Sequence, residues 1–475
     1  MHSRSDQVQA HSFMSARVVS ALVQAEPDAP DPPLRRTPLG YVIGLMLSML
    51  IVAGFAVAGV LGFGGATDWS KPGKLIVEKE TGSQYVLASD GTLRPVLNYA
   101  SARLLGAKEV AEVSRSTLSD VPRGTPIGII GAPDGIPAGG AGGAAQAWLV
   151  CATTTRDAAG APHATVTLHV GDTSDVEPAR QDEAVLVRSS SGDQYLVWRD
   201  KRMKLSAPWV AAVLGYDAST ALPVRDAFIN ALPAGPDLGP LRIPGAGQPG
   251  PSLGGQPTRI GQIFSVSVVG RPQTLHMLTT GGLMPVNGTT AALAMGDPAG
   301  GGQPSPRILS PAAMASVGQM PSSPLMSQLP DEPPSLLPTA GTSDSSDRGA
   351  PCAQVEPGPR GAKSTLVSGW PEAGVIVGGP GIERDEFTAD RIDVQPGAGV
   401  LARTLPAPGV PGAGLYLVTD SGAKYPVPGQ SAAEALGYRL PDAVPVPAHL
   451  LSLLPTGPVL APERAAGGGG VQAAP

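Results

Sequence analysis

The sequence is poor in charge, aromatics and cysteine. Charged residues make up 15% of its 475 positions, with 33 Lys or Arg against 39 Asp or Glu. No dense basic field exists to displace phosphate counterions, which excludes a nucleic-acid binder. Aromatics at 4% leave the cores to Val, Leu, Ile and Ala. Motifs that carry chemistry are missing too. The histidines, His2, His11, His163, His169, His276 and His449, form no i, i+4 pair with an intervening Glu, as a zinc protease needs. The nearest string to a phosphate-cradling loop is Gly358 to Thr365, GPRGAKST. There Ala362 separates Gly361 from Lys363, Pro359 interrupts the turn, and a strand-like run follows. The sequence therefore predicts no catalytic residues, no metal and no cofactor. Glu383, Asp385, Glu386, Asp390 and Asp393 read as a solvated acidic loop rather than a Ca²⁺ site. Trp198 and Trp209, around Lys201, Arg202 and Lys204, read as a packed hairpin with snorkelling cations rather than a carbohydrate or peptide groove.

One long apolar run decides the class. Leu39 to Gly65 carries no charge. A bilayer core of ~30 Å needs about 20 helical residues. Tyr41 to Phe63 meets that length, with an aromatic at each end as the anchor's interfacial marks. The run is longer than a usual signal-peptide core and no clear small-x-small cleavage site follows it, so it reads as an uncleaved transmembrane anchor. Arg35 and Arg36 abut its start and form the cytoplasmic flank, with Lys71 and Lys74 beyond its end. Both cysteines, Cys151 and Cys352, follow the span. An even pair in an exported region favours a disulfide over two separate buried thiols. The expected placement is a cytoplasmic N-terminus and an extracytoplasmic C-terminal part.

The predicted fold class is α+β. A single N-terminal transmembrane helix (39–65) follows a cytoplasmic arm (1–38) whose amphipathic helix, Gln7 to Gln24, cannot bury its apolar face alone. After the span comes an elongated exported domain with four hairpin-plus-helix repeats around a β-rich central body. The repeats are placed at 66–133, 189–235, 259–317 and 411–462. Each has a short apolar strand, a Gly or Asp-Gly turn, a second strand and a small helix ending at Gly. Two sequence-distant parts, 147–188 and 351–410, would form the central body. Asp134 to Ala145, Gly235 to Thr258 and 318–350 read as linkers, the last of them flexible, and 463–475 as a disordered tail.

These parts in this order resemble the EccB family of the type VII (ESX) secretion system of actinobacteria. The most specific match is Arg94-Pro95-Val96-Leu97-Asn98-Tyr99-Ala100-Ser101-Ala102-Arg103-Leu104, continued by Pro122-Arg123-Gly124 and Gly131-Ala132-Pro133. Val8-Gln9-Ala10-His11, Trp148 through Cys151, Cys352, Asp390-Arg391-Ile392, Tyr416 through Asp420, and Pro445 to Pro458 also fit. The resemblance implies an inner-membrane complex with an EccC-type FtsK/SpoIIIE ATPase, EccD, EccE and a mycosin protease. It also implies homo-oligomeric contacts, one disulfide, and an exported domain in the periplasm. The expected function is a structural membrane subunit of the translocon that supports assembly and extends outward for protein export. The alternatives are a peptidoglycan-binding anchor module and an ATP-hydrolysing subunit. An ATPase label is attached to the family, and no Walker motif in this chain supports it.

Overall fold

The computed structural model describes residues 4–25, 36–60, 68–138, 147–156, 159–217, 220–300, 303–337, 349–358, 360–369 and 374–467. They fall into two compact units, 1–83 with 109–121, and 84–108 with 122–475.

The first unit holds the long helices Arg4–Gln24 and Arg36–Val60. The second is helical because nothing in it stops a helix. Pro38 sits in the first turn, where a missing N–H costs nothing, and Leu, Met, Ile, Val and Ala dominate thereafter. At 1.5 Å per residue its 25 residues reach about 37 Å, enough to cross a bilayer core of ~30 Å. The same unit contains a parallel strand pair, Lys74–Glu78 with Glu109–Val113. Lys74 and Glu109 clamp it at 3.0 Å, and Arg115 meets the buried Glu78 carboxylate at 2.7 Å.

Most of the second unit is built from one repeated plan. An opening strand pairs with a hairpin, a helix follows, and a return strand lies parallel to the opening one. The plan recurs at Glu183–Arg188 to Leu222–Pro223, at Ile263–Val266 to Arg307–Leu309, and at Val400–Leu405 to Val444–Pro447, each sheet in the order third, second, first, fourth strand. These are modules two, three and four. After the return strand comes a short helix, then a segment that touches the third strand in parallel, at Arg202 with Ala234, Leu283 with Gln319 and Lys424 with Thr456. The hairpin Gln84–Leu87 with Leu93–Pro95 and the helix Tyr99–Leu104 carry the same pieces for module one, with the matching bridge from Leu93 to Arg123. Local sequence sets the ends of the helices. Asn98 accepts from Ser101 N–H at 3.0 Å, and Asn287 from Thr290 N–H at 2.8 Å, as helix N-caps. Gly437, at φ 99°, ends the helix Gln430–Leu436 in the left-handed conformation that glycine allows.

A six-stranded sheet joins the modules. Its order is Arg391–Val394, Pro162–Gly171, Ala147–Arg156, Ala350–Glu356, Lys363–Gly369, Glu177–Pro178. Alternation along Ala147–Arg156 separates two environments. Trp148, Val150 and Ala152 enter the main core with Leu168, Ala353 and module four, while Leu149 and Cys151 face a smaller cluster with Cys352 and Val367.

Several expected boundaries move. Glu183–Arg188 and Val400–Leu405, assigned to the central body from sequence, are the opening strands of modules two and four. The supposed linker 235–258 contains most of a hairpin, Pro249–Leu253 with Gln256–Arg259. In the supposed flexible segment 318–350, Ser335 and Leu336 pair with Glu183 and Ala184, and Tyr216 Oη donates to the Pro334 carbonyl at 2.8 Å. A continuous run therefore leads from module three back onto module two. In the expected tail, Pro462–Ala466 is helical with Ala465 fully buried. Parts of the expected linkers and tail, 139–146, 338–348 and 468–475, lie outside the described residues.

Candidate functional site

Among the described residues, an apolar helix not packed against protein and a disulfide-stapled sheet are the candidate functional features. Along the second helix, Tyr41, Leu50 and Phe55 are 72–77% exposed, and none of the apolar stretch Gly40–Val57 is buried against protein. A helix that is apolar all round and unpacked has lipid as its matching solvent. Of the expected anchor marks, Tyr41 lies on the helix and Arg36 begins it; Arg35 and Phe63 lie outside the described residues. On the helix Arg4–Gln24, Met14, Val18 and Leu22 recur at i, i+4 spacing and are all exposed, with Phe13 beside them under the Arg17 guanidinium.

Cys151 and Cys352 stand opposite each other on adjacent antiparallel strands, Cα atoms 4.0 Å apart, and are joined by a disulfide. Both are fully buried, against Leu149 and Val367, 201 residues apart in sequence. The bond ties the two halves of the sheet.

Two further ties cross long gaps, and a third closes module four on itself. Asp390 accepts from Arg225 Nη1 at 2.7 Å and from Val166 N–H at 2.8 Å, linking module two to the central sheet. Arg225 Nη2 also donates to the Glu386 carbonyl at 2.8 Å. His169 lies between Asp393, 2.6 Å from Nδ1, and the Asp172 carbonyl, 2.9 Å from Nε2. Lys424 in module four is buried and its Nζ donates to the Leu454 carbonyl. Burial pushes this amine down to about 8, with Asp385 opposing the shift. Sequence reasoning named none of these as ties. Their partners lie tens to hundreds of residues away, so no local spacing marks them.

The acidic run thus divides into separate duties. Asp385 caps its own turn by accepting from the Phe387 and Thr388 N–H groups, each at 3.0 Å, while Asp390 and Asp393 hold Arg225 and His169. Among the described residues no three His, Cys, Asp or Glu side chains gather as metal ligands. The phosphate-loop lookalike has its lysine on a strand. Lys363 opens the strand Lys363–Gly369 and lies 3.9 Å from Glu356, so the backbone that follows it directly is extended rather than a helix N-terminus that could cradle an anion. Trp198 is 7% exposed, donates its indole N–H to the Gln181 carbonyl at 2.8 Å and is covered by Arg199. Trp209 packs into module two. Of the other histidines, His276 is buried with Nε2 beside Thr274 Oγ1 at 3.1 Å, and burial holds it below the ordinary imidazole value; His11 and His163 are exposed.

The family described as "Type VII secretion system ESX-1, transport TM domain B" matches residues 2–470. The chain is 30% identical over 481 residues to the ESX-1 secretion system ATPase EccB1 of Mycolicibacterium smegmatis (strain MKD8), covering 97% of this chain and 94% of that protein. It is 29% identical over 480 residues to the protein of the same name in Mycobacterium tuberculosis (strain ATCC 25618 / H37Rv), covering 97% and 93%. Among solved structures, a chain of the intact ESX-5 inner membrane complex shares the fold, with TM-score 0.66 and 24% identity over 100% of this chain and 97% of that one. A chain of the EccB3 dimer from the ESX-3 core complex is similar with TM-score 0.64 and 25% identity, over 83% and 99%.

Proposed function

The chain belongs to the EccB family, a membrane component of the type VII (ESX) secretion system, and from that premise we propose that it is a structural subunit of the translocon rather than an enzyme. Its helix Arg36–Val60 anchors it in the cytoplasmic membrane, with the N-terminal helix in the cytoplasm and everything after the anchor outside. The observation that carries this reading is the order of parts over the whole chain: an apolar helix unpacked by protein, followed by a body stapled by a buried disulfide. Such a bond belongs on the oxidising side of the membrane. The exposed apolar stripe on Arg4–Gln24 suits docking onto the EccC-type ATPase, EccD and EccE, with a mycosin protease near the exported side. A second copy is a further partner, since a similar solved chain is described as a dimer.

The test is purification of the tagged full chain from native membranes in mild detergent, with mass spectrometry of what accompanies it. Recovery of an FtsK/SpoIIIE-type ATPase and a multi-span EccD-like protein supports the role. Recovery of the chain alone, with the wall fraction retaining it, overturns it in favour of a wall-anchoring module. The relatives' names include the word ATPase, which favours a second reading. Mg²⁺-dependent turnover by the purified chain, abolished in Lys363→Ala, would establish that reading against ours.

A further inference from the structure

Modules two and four and the loop between them enclose a cavity of about 410 Å³, lined by Arg202, Asn230, Phe387, His449, Ser452 and Leu453. Neighbouring cations have found carboxylates: Lys204 meets Asp193 at 2.9 Å and Arg225 meets Asp390 at 2.7 Å. Arg202 is half-buried and meets an amide instead, donating from Nη1 to Asn230 Oδ1 at 2.7 Å. With that oxygen engaged, the Asn230 amino group is left as a donor. Packing first, and then the Arg202 charge, holds His449 below the ordinary imidazole value. Among the described residues, Arg202 is the one Lys or Arg on the lining of this cavity. Phe387 is 50% exposed at its edge, while Leu453 is buried beneath it. The Phe387 backbone is fixed by the Asp385 turn.

We propose that this cavity binds the terminal carboxylate of a peptide whose last side chain is small or apolar. One guanidinium fork matches a monoanion bidentately, the Asn230 amino group adds a third donor, and the apolar walls take the adjoining side chain. A phosphate dianion would want a second fixed cation, which this cavity lacks among the described residues. The volume suits a ligand of about two residues. The inference is independent of the assembly role.

The test is calorimetric titration of the full chain in mild detergent with N-acetyl-Ala-Ala as the free acid, as its C-terminal amide, and with inorganic phosphate. Saturable binding of the acid and none of the amide is expected. Arg202→Gln should weaken binding roughly tenfold or more, as loss of a charged hydrogen bond does. Asn230→Ala, which leaves the guanidinium in place, should weaken it too, with the melting temperature of both variants unchanged. Preference for the L,L acid would indicate a protein C-terminus, and preference for the D,D acid a wall-type peptide; either satisfies the chemistry. The proposal fails if acid and amide bind alike, if phosphate binds more tightly than the acid, if neither acid gives heat at millimolar concentration, or if both folded variants bind as the wild type does.

Discussion

Breaking the Cys151–Cys352 bond should cost the exported body a large part of its stability. The bond closes a loop 201 residues long in sequence separation. In the chain-entropy account a loop of that length contributes on the order of 5 kcal/mol. The double variant Cys151→Ala, Cys352→Ala also loses two fully buried sulfur atoms from the small cluster with Leu149 and Val367, which adds about 1 kcal/mol for the void. Reduction of the wild type keeps the sulfurs and removes only the cross-link, so the two perturbations separate the terms. The unit that holds both cysteines spans 84–108 and 122–475, and a unit of that size shifts its melting point by about 1 °C per kcal/mol, so a drop on the order of 5 °C is expected. The assay is thermal unfolding of the full chain in mild detergent, oxidised, reduced and as the double variant. Thiol labelling after denaturation without reductant accompanies it. Labelled cysteines in the unreduced wild type, or three melting curves within about 2 °C of each other, would refute the reasoning.

Three other outcomes are expected. A Cβ added at Gly296 would lie 2.3 Å from a methyl of Val213, so Gly296→Ala should lower the melting temperature by an amount corresponding to about 1–3 kcal/mol; Val213→Ala in the same chain should recover most of it, and an unchanged melt in the single variant refutes the close approach. Lys424 titrates near 8 in the folded chain against an ordinary 10.5, so between those values the unfolded chain binds more protons and stability rises with pH. Wild type should therefore gain on Lys424→Met by on the order of 3 kcal/mol across that window, and a pH-independent difference refutes the buried charge. In the wild-type background, a membrane-impermeant maleimide on intact cells should label Ser174→Cys and not Ser12→Cys, both exposed positions; the reverse pattern overturns the proposed orientation.

What was legible in the sequence was what a local pattern can carry. The uncharged run gave the helix Arg36–Val60, and hairpins such as Gln194–Trp198 with Lys201–Lys204 follow from strand–turn–strand composition. Strand membership was less legible, for a physical reason. Glu183–Arg188 is apolar at consecutive positions because Val185 and Val187 face the main core while Ala184 and Leu186 face the helix side of module two. A strand buried on both faces shows no alternation, so composition could not assign it to one sheet. The hairpin at Pro249–Leu253 was hidden in Gly and Pro, which an edge ribbon tolerates. The Arg202 cavity was illegible as a site because Arg202, Phe387 and His449 come together only after modules two and four have packed against the loop between them.

The position of the staple is itself informative. In the central sheet, strands near residue 150 must find strands near residue 352, and the chain between them folds into two complete modules. Hydrogen-bonded pairing of Ala147–Arg156 with Ala350–Glu356 must repay that long loop closure before it gains anything. The ties at Arg225–Asp390 and His169–Asp393 also join distant parts of the chain to this sheet, and both are partly exposed polar contacts of modest individual worth. A covalent bond at the strand pair where the halves meet removes the closure cost from the unfolded chain rather than adding contacts to the folded one. This suits a body built largely of small hairpin modules, whose separate cores each supply little. It also makes integrity of the sheet conditional on an oxidising compartment, so a chain held under reducing conditions would have the weakest central sheet.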